Sequence, residues 1–386
     1  MTSFKKIPLR YLAEICNGQD KSDVEDVDGP FPIYGSGGSF SRSSKALYIG
    51  ESVLLGRKGT IDNPLYVSGG FWTVDTMYYT KINTQLVIPK FLFYLCKTID
   101  FNLYKTGSVL PSMTKEDLGS IKFDIPDIET QAKICSILDD RLSKIDKVIE
   151  NKLKTKKKVL DYCQSLISRA VTKGLDPNVP MKNAGLDWLD RIPEHWSRMR
   201  LAHCFTLANR PANLDLPVLS VSIHTGISDS ELSDEERDRK VWLSEDRSKY
   251  QSVKEGDLVY NMMRAWQGGF GTSTRSGLVS PAYNVLSPKK GIFSKYYELL
   301  FRTPNAQKLI YGYSEGIADF RKRLYWEKAR DIYVPVPPYE EQARIVSKVT
   351  EVNDRIESTK KLISKQTKLL SEYRDSLISS FFASPS

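Results

Sequence analysis

Three stretches of this 386-residue chain gather side chains able to donate hydrogen bonds to an acidic ligand. The first, Gly50 to Thr60, reads Gly-Glu-Ser-Val-Leu-Leu-Gly-Arg-Lys-Gly-Thr. A P-loop needs four residues between its glycines and then Gly-Lys-Ser/Thr, so that backbone amides cradle phosphates. Here five residues separate Gly50 from Gly56 and Arg57 breaks the Gly-Lys pair, so nucleotide hydrolysis does not fit. Two readings remain: a strand ending in a tight turn, or a glycine-flanked loop presenting Arg57 and Lys58 to DNA. Arginine suits guanine edges and lysine suits phosphates. The stretch Pro30 to Gly38 is a turn-rich loop. The second stretch, Asn261 to Gly269, offers Arg264 as a base or phosphate donor, Gln267 for an adenine edge, and Trp266 as core or as a stacking surface. The third, Arg321-Lys322-Arg323, is a compact basic cluster that is either a solvated surface or a phosphate anchor.

Residues suited to bond-making chemistry are thinner. Asn63-Pro64-Leu65-Tyr66 approaches the Asn-Pro-Pro-Tyr element with which adenine methyltransferases hold their target amino group. It departs at Leu65, and no Rossmann-type glycine fingerprint accompanies it, so an Asn-Pro turn is the plainer reading. His195, His203 and His224 all fall in the second half, outside any triad motif, and His203 beside Cys204 reads as packing. Five scattered cysteines without CxxC spacing suit a reduced cytosolic protein, with neither a disulfide framework nor a zinc site. The net charge of +9, from 56 Lys and Arg against 47 Asp and Glu, favours a polyanionic partner without naming one. The N-terminal residues lack an apolar signal core and no apolar run approaches a membrane span, so a cytoplasmic location away from membranes is expected.

The elements that must position these residues are organised by an internal repeat. Gln131-Ala132-Lys133-Ile134 recurs as Gln342-Ala343-Arg344-Ile345, an offset of 211. The same offset, without a gap, matches Tyr162 to Tyr373 and Ser165-Leu166-Ile167-Ser168 to Ser376-Leu377-Ile378-Ser379. Both copies lack Gly and Pro and carry apolar residues at steps of four and three. In the first these are Ile134, Leu138, Ile145, Val148, Val159, Tyr162 and Leu166, with Arg141, Lys152 and Thr155 interrupting the register. In the second they are Ile345, Val349, Val352, Ile356, Thr359, Ile363, Leu370, Tyr373 and Leu377, with Gln366 the polar exception. This a/d pattern predicts two long helices, the first about 58 Å from Gln131 to Arg169, pairing as an intramolecular coiled coil.

Ahead of each helix lies a mixed domain of short strands. Ser52–Leu55, Tyr66–Val67 and Ile121–Pro126 read as strands and Pro89–Ile99 as a short helix. The same order returns later, with Glu255–Tyr260 in the place of Ile49–Leu54 and Phe293–Leu300 in that of the short helix. The expected plan is a first domain over 1–128, a helix over 129–172, a polar linker over 173–184, a second domain over 185–338, and a helix over 339–386. The domains share order but little sequence, as expected of a common frame carrying different reading surfaces.

With these features the chain resembles the specificity subunits of type I restriction-modification systems. The carrying residues are the helix starts Pro126–Ile134, in which Thr130 stands where the second copy has Glu341, and Pro337–Ile345. To them are added Gly185–Trp196, Pro32–Gly38 and Leu55–Thr60. The resemblance spans nearly the whole chain. It implies an α+β fold with a pseudo-twofold repeat, two mixed α/β target recognition domains separated by two long antiparallel helices. Each domain would read one half of a split double-stranded DNA site, and the helices would set the gap. About 58 Å of helix against roughly 34 Å per DNA turn suits half-sites one to two turns apart. Two modification subunits would dock on the helices, bring S-adenosylmethionine and methylate adenine N6. Restriction subunits, with ATP and magnesium, would join to cut. The chain itself would be non-catalytic and would hold no cofactor or metal. DNA contact is carried over to Gly35, Ser36, Arg57, Lys58 and Thr60, and to Arg264, Trp266, Gln267, Arg321, Lys322 and Arg323. The alternatives are a stand-alone adenine methyltransferase built around Asn63–Tyr66, and a coiled-coil scaffold that reads no DNA.

Overall fold

The computed structural model of the chain describes residues 5–104, 111–223, 226–228, 247–317 and 321–382. These form two compact units, Met1–Lys154 with Leu362–Ser386, and Thr155–Lys361. Each unit therefore takes one mixed domain and part of both long helices, Ile128–Lys173 and Tyr339–Phe382.

In the first unit an antiparallel sheet runs in the order Ala13–Asn17, Met77–Ile82, Ser52–Gly56, Leu65–Val67. Ser52–Gly56 is buried along its whole length, which its uninterrupted run of small and apolar residues allows. Lys5–Pro8 pairs with Lys122–Ile125 and so brings the start of the domain to its last strand. A second sheet orders Gly38–Ser43, Phe31–Gly35, Gly70–Thr73 and Tyr48–Ile49. Here the expected loop from Pro30 to Gly38 is mostly a hairpin arm. Pro32 lacks an N–H for a second partner, but the parallel pairing to Gly70–Thr73 involves only Ile33 and Tyr34, so the proline is tolerated.

The second unit repeats this order with Phe205–Leu207, Tyr283–Pro288, Leu258–Asn261 and Phe270–Thr272, and closes with Ser197–Arg200 against Tyr333–Val336. Helix Pro89–Lys97 of the first unit has its counterpart in Ser294–Phe301. The stretch 173–184, expected to be a linker, is one only in part. Gly174, at φ +79°, ends the helix, but the strand Met181–Leu186 then pairs with Leu189–Pro193.

A duplicated glutamine locks each domain to the start of its long helix. Gln131 is fully buried; its Oε1 accepts from Ile88 N at 2.8 Å and its Nε2 donates to Leu86 O and Pro126 O at 3.0 and 2.9 Å. Gln342, equally buried, accepts from Phe293 N at 2.9 Å and donates to Gly291 O and Pro337 O at 3.0 and 2.8 Å. One side-chain amide thus satisfies three backbone groups that would otherwise be orphaned in the core.

Within the first unit the helix segments run antiparallel, because partners rise along one as they fall along the other. Arg141 lies over the Phe381 ring, Asp146 pairs with Arg374 at 3.1 Å, and Lys152 Nζ donates to Gln366 at 2.8 Å. Leu138, Leu142, Leu377 and Ile378 are buried there, with Ile134 and Ile145 packed against them. In the second unit Val171, Ile345, Val346 and Val349 share the main core. Leu166, Ile356 and Ile363 are half-buried. Three expected seam residues are not in the seam. Val148, Tyr162 and Tyr373 are 44%, 64% and 57% exposed. After Ile145 a half-buried stripe runs through Ile149, Lys152, Lys156, Val159, Cys163 and Leu166, so alternate positions shift by one residue, and Arg374 takes the place of Tyr373. The polar seam residues disguise the register: Lys152 and Gln366, both half-buried, meet each other within it. Among the described residues no helix is long and apolar enough to cross a membrane.

Candidate nucleic-acid interface

In the first unit the loop leaving the buried strand Ser52–Gly56 is held by backbone bonds on both sides. Arg57 N donates to Thr76 O at 2.9 Å, Met113 N donates to Arg57 O at 3.0 Å, and Gly59 N donates to Pro111 O at 2.9 Å. Gly59 sits at φ +84°, and a Cβ there would stand 3.0 Å from Ser36 Oγ. The loop and the Gly35–Ser36 turn, far apart in sequence, are therefore neighbours. Gly35 is buried, Ser36 and Arg57 are half-buried, and Lys58 and Thr60 are exposed.

Arg57 lies along an open cleft of about 420 Å³, lined also by Asn17, Lys58, Tyr78, Thr114, Lys115 and Glu116. Its Nη1 donates to Asp75 O at 3.3 Å, and its guanidinium stands 6.0 Å from the Tyr78 ring centroid. Lys115 Nζ is also 6.0 Å from that centroid. Burial pushes the Tyr78 phenol above its ordinary pKa, with the Arg57 charge pulling it down, so the ring remains a neutral platform at physiological pH. The cleft can accept anionic or hydrogen-bond-accepting atoms. Asn17, Tyr78 and Lys115 escaped the sequence reading, because only long-range strand pairing brings them to Arg57.

The Asn63–Tyr66 element is occupied otherwise. Asn63 Oδ1 accepts from Lys97 Nζ at 2.8 Å, and the Tyr66 hydroxyl donates to Glu51. Its neighbours are those of a structural turn.

The second unit keeps the frame and changes the loop. Met262 N donates to Ala282 O at 3.0 Å and Leu324 N to Met262 O at 2.9 Å, so Met262 holds the backbone place that Arg57 holds in the first unit. The basic residue comes two positions later. Arg264 is half-buried, and its Nη1 donates to Gln267 Oε1 at 2.8 Å across a single turn of 3₁₀ helix, Ala265–Gln267. Gln267 therefore presents its carbonyl to Arg264. Gly268, at φ +83°, ends the turn. Trp266 is half-buried, with its Nε1 on Met263 O at 3.2 Å and its ring edge-on to Tyr311 at 5.7 Å. Lys322 Nζ stands 3.9 Å from the centroid of the same Tyr311 ring. Tyr311, absent from the sequence-based candidates, thus joins the 264–267 loop to the 321–323 cluster, of which Arg321 and Arg323 are exposed.

The histidines divide. His195 Nε2 is 2.7 Å from Glu341 Oε2, to which Trp196 Nε1 also donates at 3.1 Å, so the Gly185–Trp196 motif docks on the second helix start. Cys204, beside His203, is fully buried and receives the Tyr297 hydroxyl; His224 lies outside the described residues. Among the described residues no three His, Cys, Asp or Glu side chains gather as metal ligands.

Residues 2–155 match the family described as type I restriction modification DNA specificity domain. Over 417 aligned residues, 98% of this chain and 88% of the relative, the chain is 20% identical to the type I restriction enzyme EcoDI specificity subunit of Escherichia coli. The EcoprrI specificity subunit of the same species is 22% identical over 147 residues, 36% of each chain. A solved chain from work on complex assembly and conformational transition of the type I R-M system superposes with a TM-score of 0.65 at 15% identity, covering 99% of this chain and 98% of that one. At that identity the likeness speaks for the fold.

Proposed function

The chain belongs to the specificity subunits of type I restriction-modification systems, and from that premise we propose that each mixed domain reads one half of a split DNA site. It is the DNA-recognition component, working with the restriction-modification partner subunits and DNA. In the proposed division of labour the first domain reads through the Arg57–Thr60 loop beside the Gly35–Ser36 turn. The second reads through Arg264 and the Trp266–Tyr311–Lys322 group. The paired helices act as the spacer that sets the gap. Catalysis belongs to the partners: modification subunits hold S-adenosylmethionine and methylate adenine, and restriction subunits use ATP and magnesium to cut. Such a complex works in the cytoplasm, where the DNA is.

One observation supports the division above all. The two domains share strand order and the backbone bonds that hold the loop after the buried strand, yet that loop carries Arg57-Lys58 in one and Met262-Met263-Arg264 in the other. A kept frame with exchanged tips suits two readers of different sequences. A base-resolution methylation map of the host with and without this gene tests the reading. Loss of N6-methyladenine from a single split motif of fixed gap is the expected outcome. Identical maps, in a host whose modification subunits are expressed, would contradict it.

A further inference from the structure

Among the described residues no ion pair involves Arg57, Lys58 or Lys115 of the first-unit cleft. Of the charges lining it, these three cations face only Glu116. Elsewhere in the unit, lysines find carboxylates readily, as in Lys90 with Asp139 at 2.8 Å and Lys81 with Glu14 at 3.4 Å. Arg57 and Lys115 stand over the same Tyr78 ring, each 6.0 Å from its centroid, and so no more than 12.0 Å apart. These like charges, Arg57 and Lys115 both half-buried, share the cleft with the single carboxylate of Glu116, so positive charge is in excess there.

We propose that Lys115 is a backbone-phosphate anchor that fixes the register at which Arg57 meets a base edge, with Tyr78 as the platform that sets the distance between them. The inference rests on the DNA-reading role given above and divides the labour within it. A lysine ammonium is a compact point charge that suits a phosphate oxygen, whereas the planar guanidinium suits the paired acceptors of guanine. Both side chains are positioned by one structural join. Met113 N on Arg57 O and the Lys58–Ser112 bridge fasten the Arg57 loop to the segment from which Lys115 rises. Thr114 and Asp117 close a capping box there, so the start of the Lys115–Ser120 helix is fixed. A phosphate contact carries no sequence information of its own, so losing it should weaken all duplexes alike.

The test uses the complex reconstituted with its partner subunits. Binding is measured by fluorescence anisotropy on a duplex carrying the mapped motif and on a scrambled duplex, across a salt series. Lys115→Gln should lower the slope of log K against log salt by about 1, so that the advantage of wild type shrinks by about 3.5-fold between about 50 and 200 mM salt. The methylated motif should not change, and Lys115→Arg should restore the slope. An unchanged slope in Lys115→Gln would overturn the anchor, and a changed motif would overturn it in favour of base reading. If the wild-type complex bound both duplexes equally, the DNA-reading role itself would fall and the anchor with it.

Discussion

The two mixed domains are the same frame with different surfaces, and their differences fall where a reader would need them. Both have the same four-strand order, the same short helix packed on it and the same buried glutamine at the helix start. At the exit of the buried strand they part. The first domain places an arginine, half-buried over a tyrosine and next to an open cleft. The second places a methionine there, moves its arginine two residues on, and ties it to Gln267. The interior differs too. Glu298, 1% exposed, takes charge from Lys295 and Arg302 and accepts from Thr272 N, while the first domain has Phe93 on the matching helix. Conserving the backbone staples while changing the side chains they hold lets one fold serve two sequences.

That comparison can be broken at its shared parts and sharpened at its distinct ones. The largest effects should follow from the glutamines. Gln131→Leu or Gln342→Leu leaves one amide and two carbonyls without that partner in the core, at about 1–3 kcal/mol per orphaned group, so about 3–9 kcal/mol in total. Urea unfolding followed by circular dichroism should show a similar loss in both variants. A loss under about 1 kcal/mol in either would mean that the staples are not equivalent. Glu341→Ala should cost about 1–3 kcal/mol, because Trp196 is fully buried and its Nε1 loses its acceptor. The first domain has Thr130 at this position, so Thr130→Ala should cost less. Equal losses would erase that asymmetry.

Binding should separate the domains. Arg57→Ala and Arg264→Ala should each weaken binding of the reconstituted complex to its own site by about 1–3 kcal/mol. In competition with duplexes altered in one half-site, each variant should lose discrimination at one half alone. The smallest effects belong to the repeated tyrosines. Tyr162→Ser and Tyr373→Ser should change the stability of the isolated chain by no more than about 0.5 kcal/mol, as for exposed sites generally. Leu138→Ala, in the buried seam, should cost about 2–5 kcal/mol. A large loss at either tyrosine would restore the register expected from the apolar pattern.

Much of the frame was legible because it rests on local signals. The ungapped repeat, the buried run Ser52–Leu55 and the strand before Pro126 all appear in the structure where pattern and turn chemistry put them. The failures fall where polar or turn-forming residues mask a local element, or where contacts are distant in sequence. The seam register holds at Lys152, Val159 and Leu166 but slips by one residue at alternate positions, where Ile149, Lys156 and Cys163 lie in the stripe and Val148, Thr155 and Tyr162 do not. Pro30–Gly38 read as a loop because its prolines and glycines mask the local hairpin with Gly38–Ser43, and its pairing to Gly70–Thr73 is long-range. Lys115 and Tyr311 were missed because each joins its loop through strand and helix packing, from well away in sequence. Gln131 and Gln342 were visible as a repeat, but their role as staples depends on carbonyls 40 or more residues back.

The division of reading between the two domains is tested most directly by base-resolution N6-methyladenine maps. The maps would come from strains carrying the wild-type chain, Arg57→Ala, or Arg264→Ala, with the partner subunits unchanged. The expected result is one split motif in wild type, relaxed at one half by Arg57→Ala and at the other half by Arg264→Ala, with the gap the same in all three. Relaxation of both halves by either substitution, or of the same half by both, would contradict the assignment of one half-site to each domain.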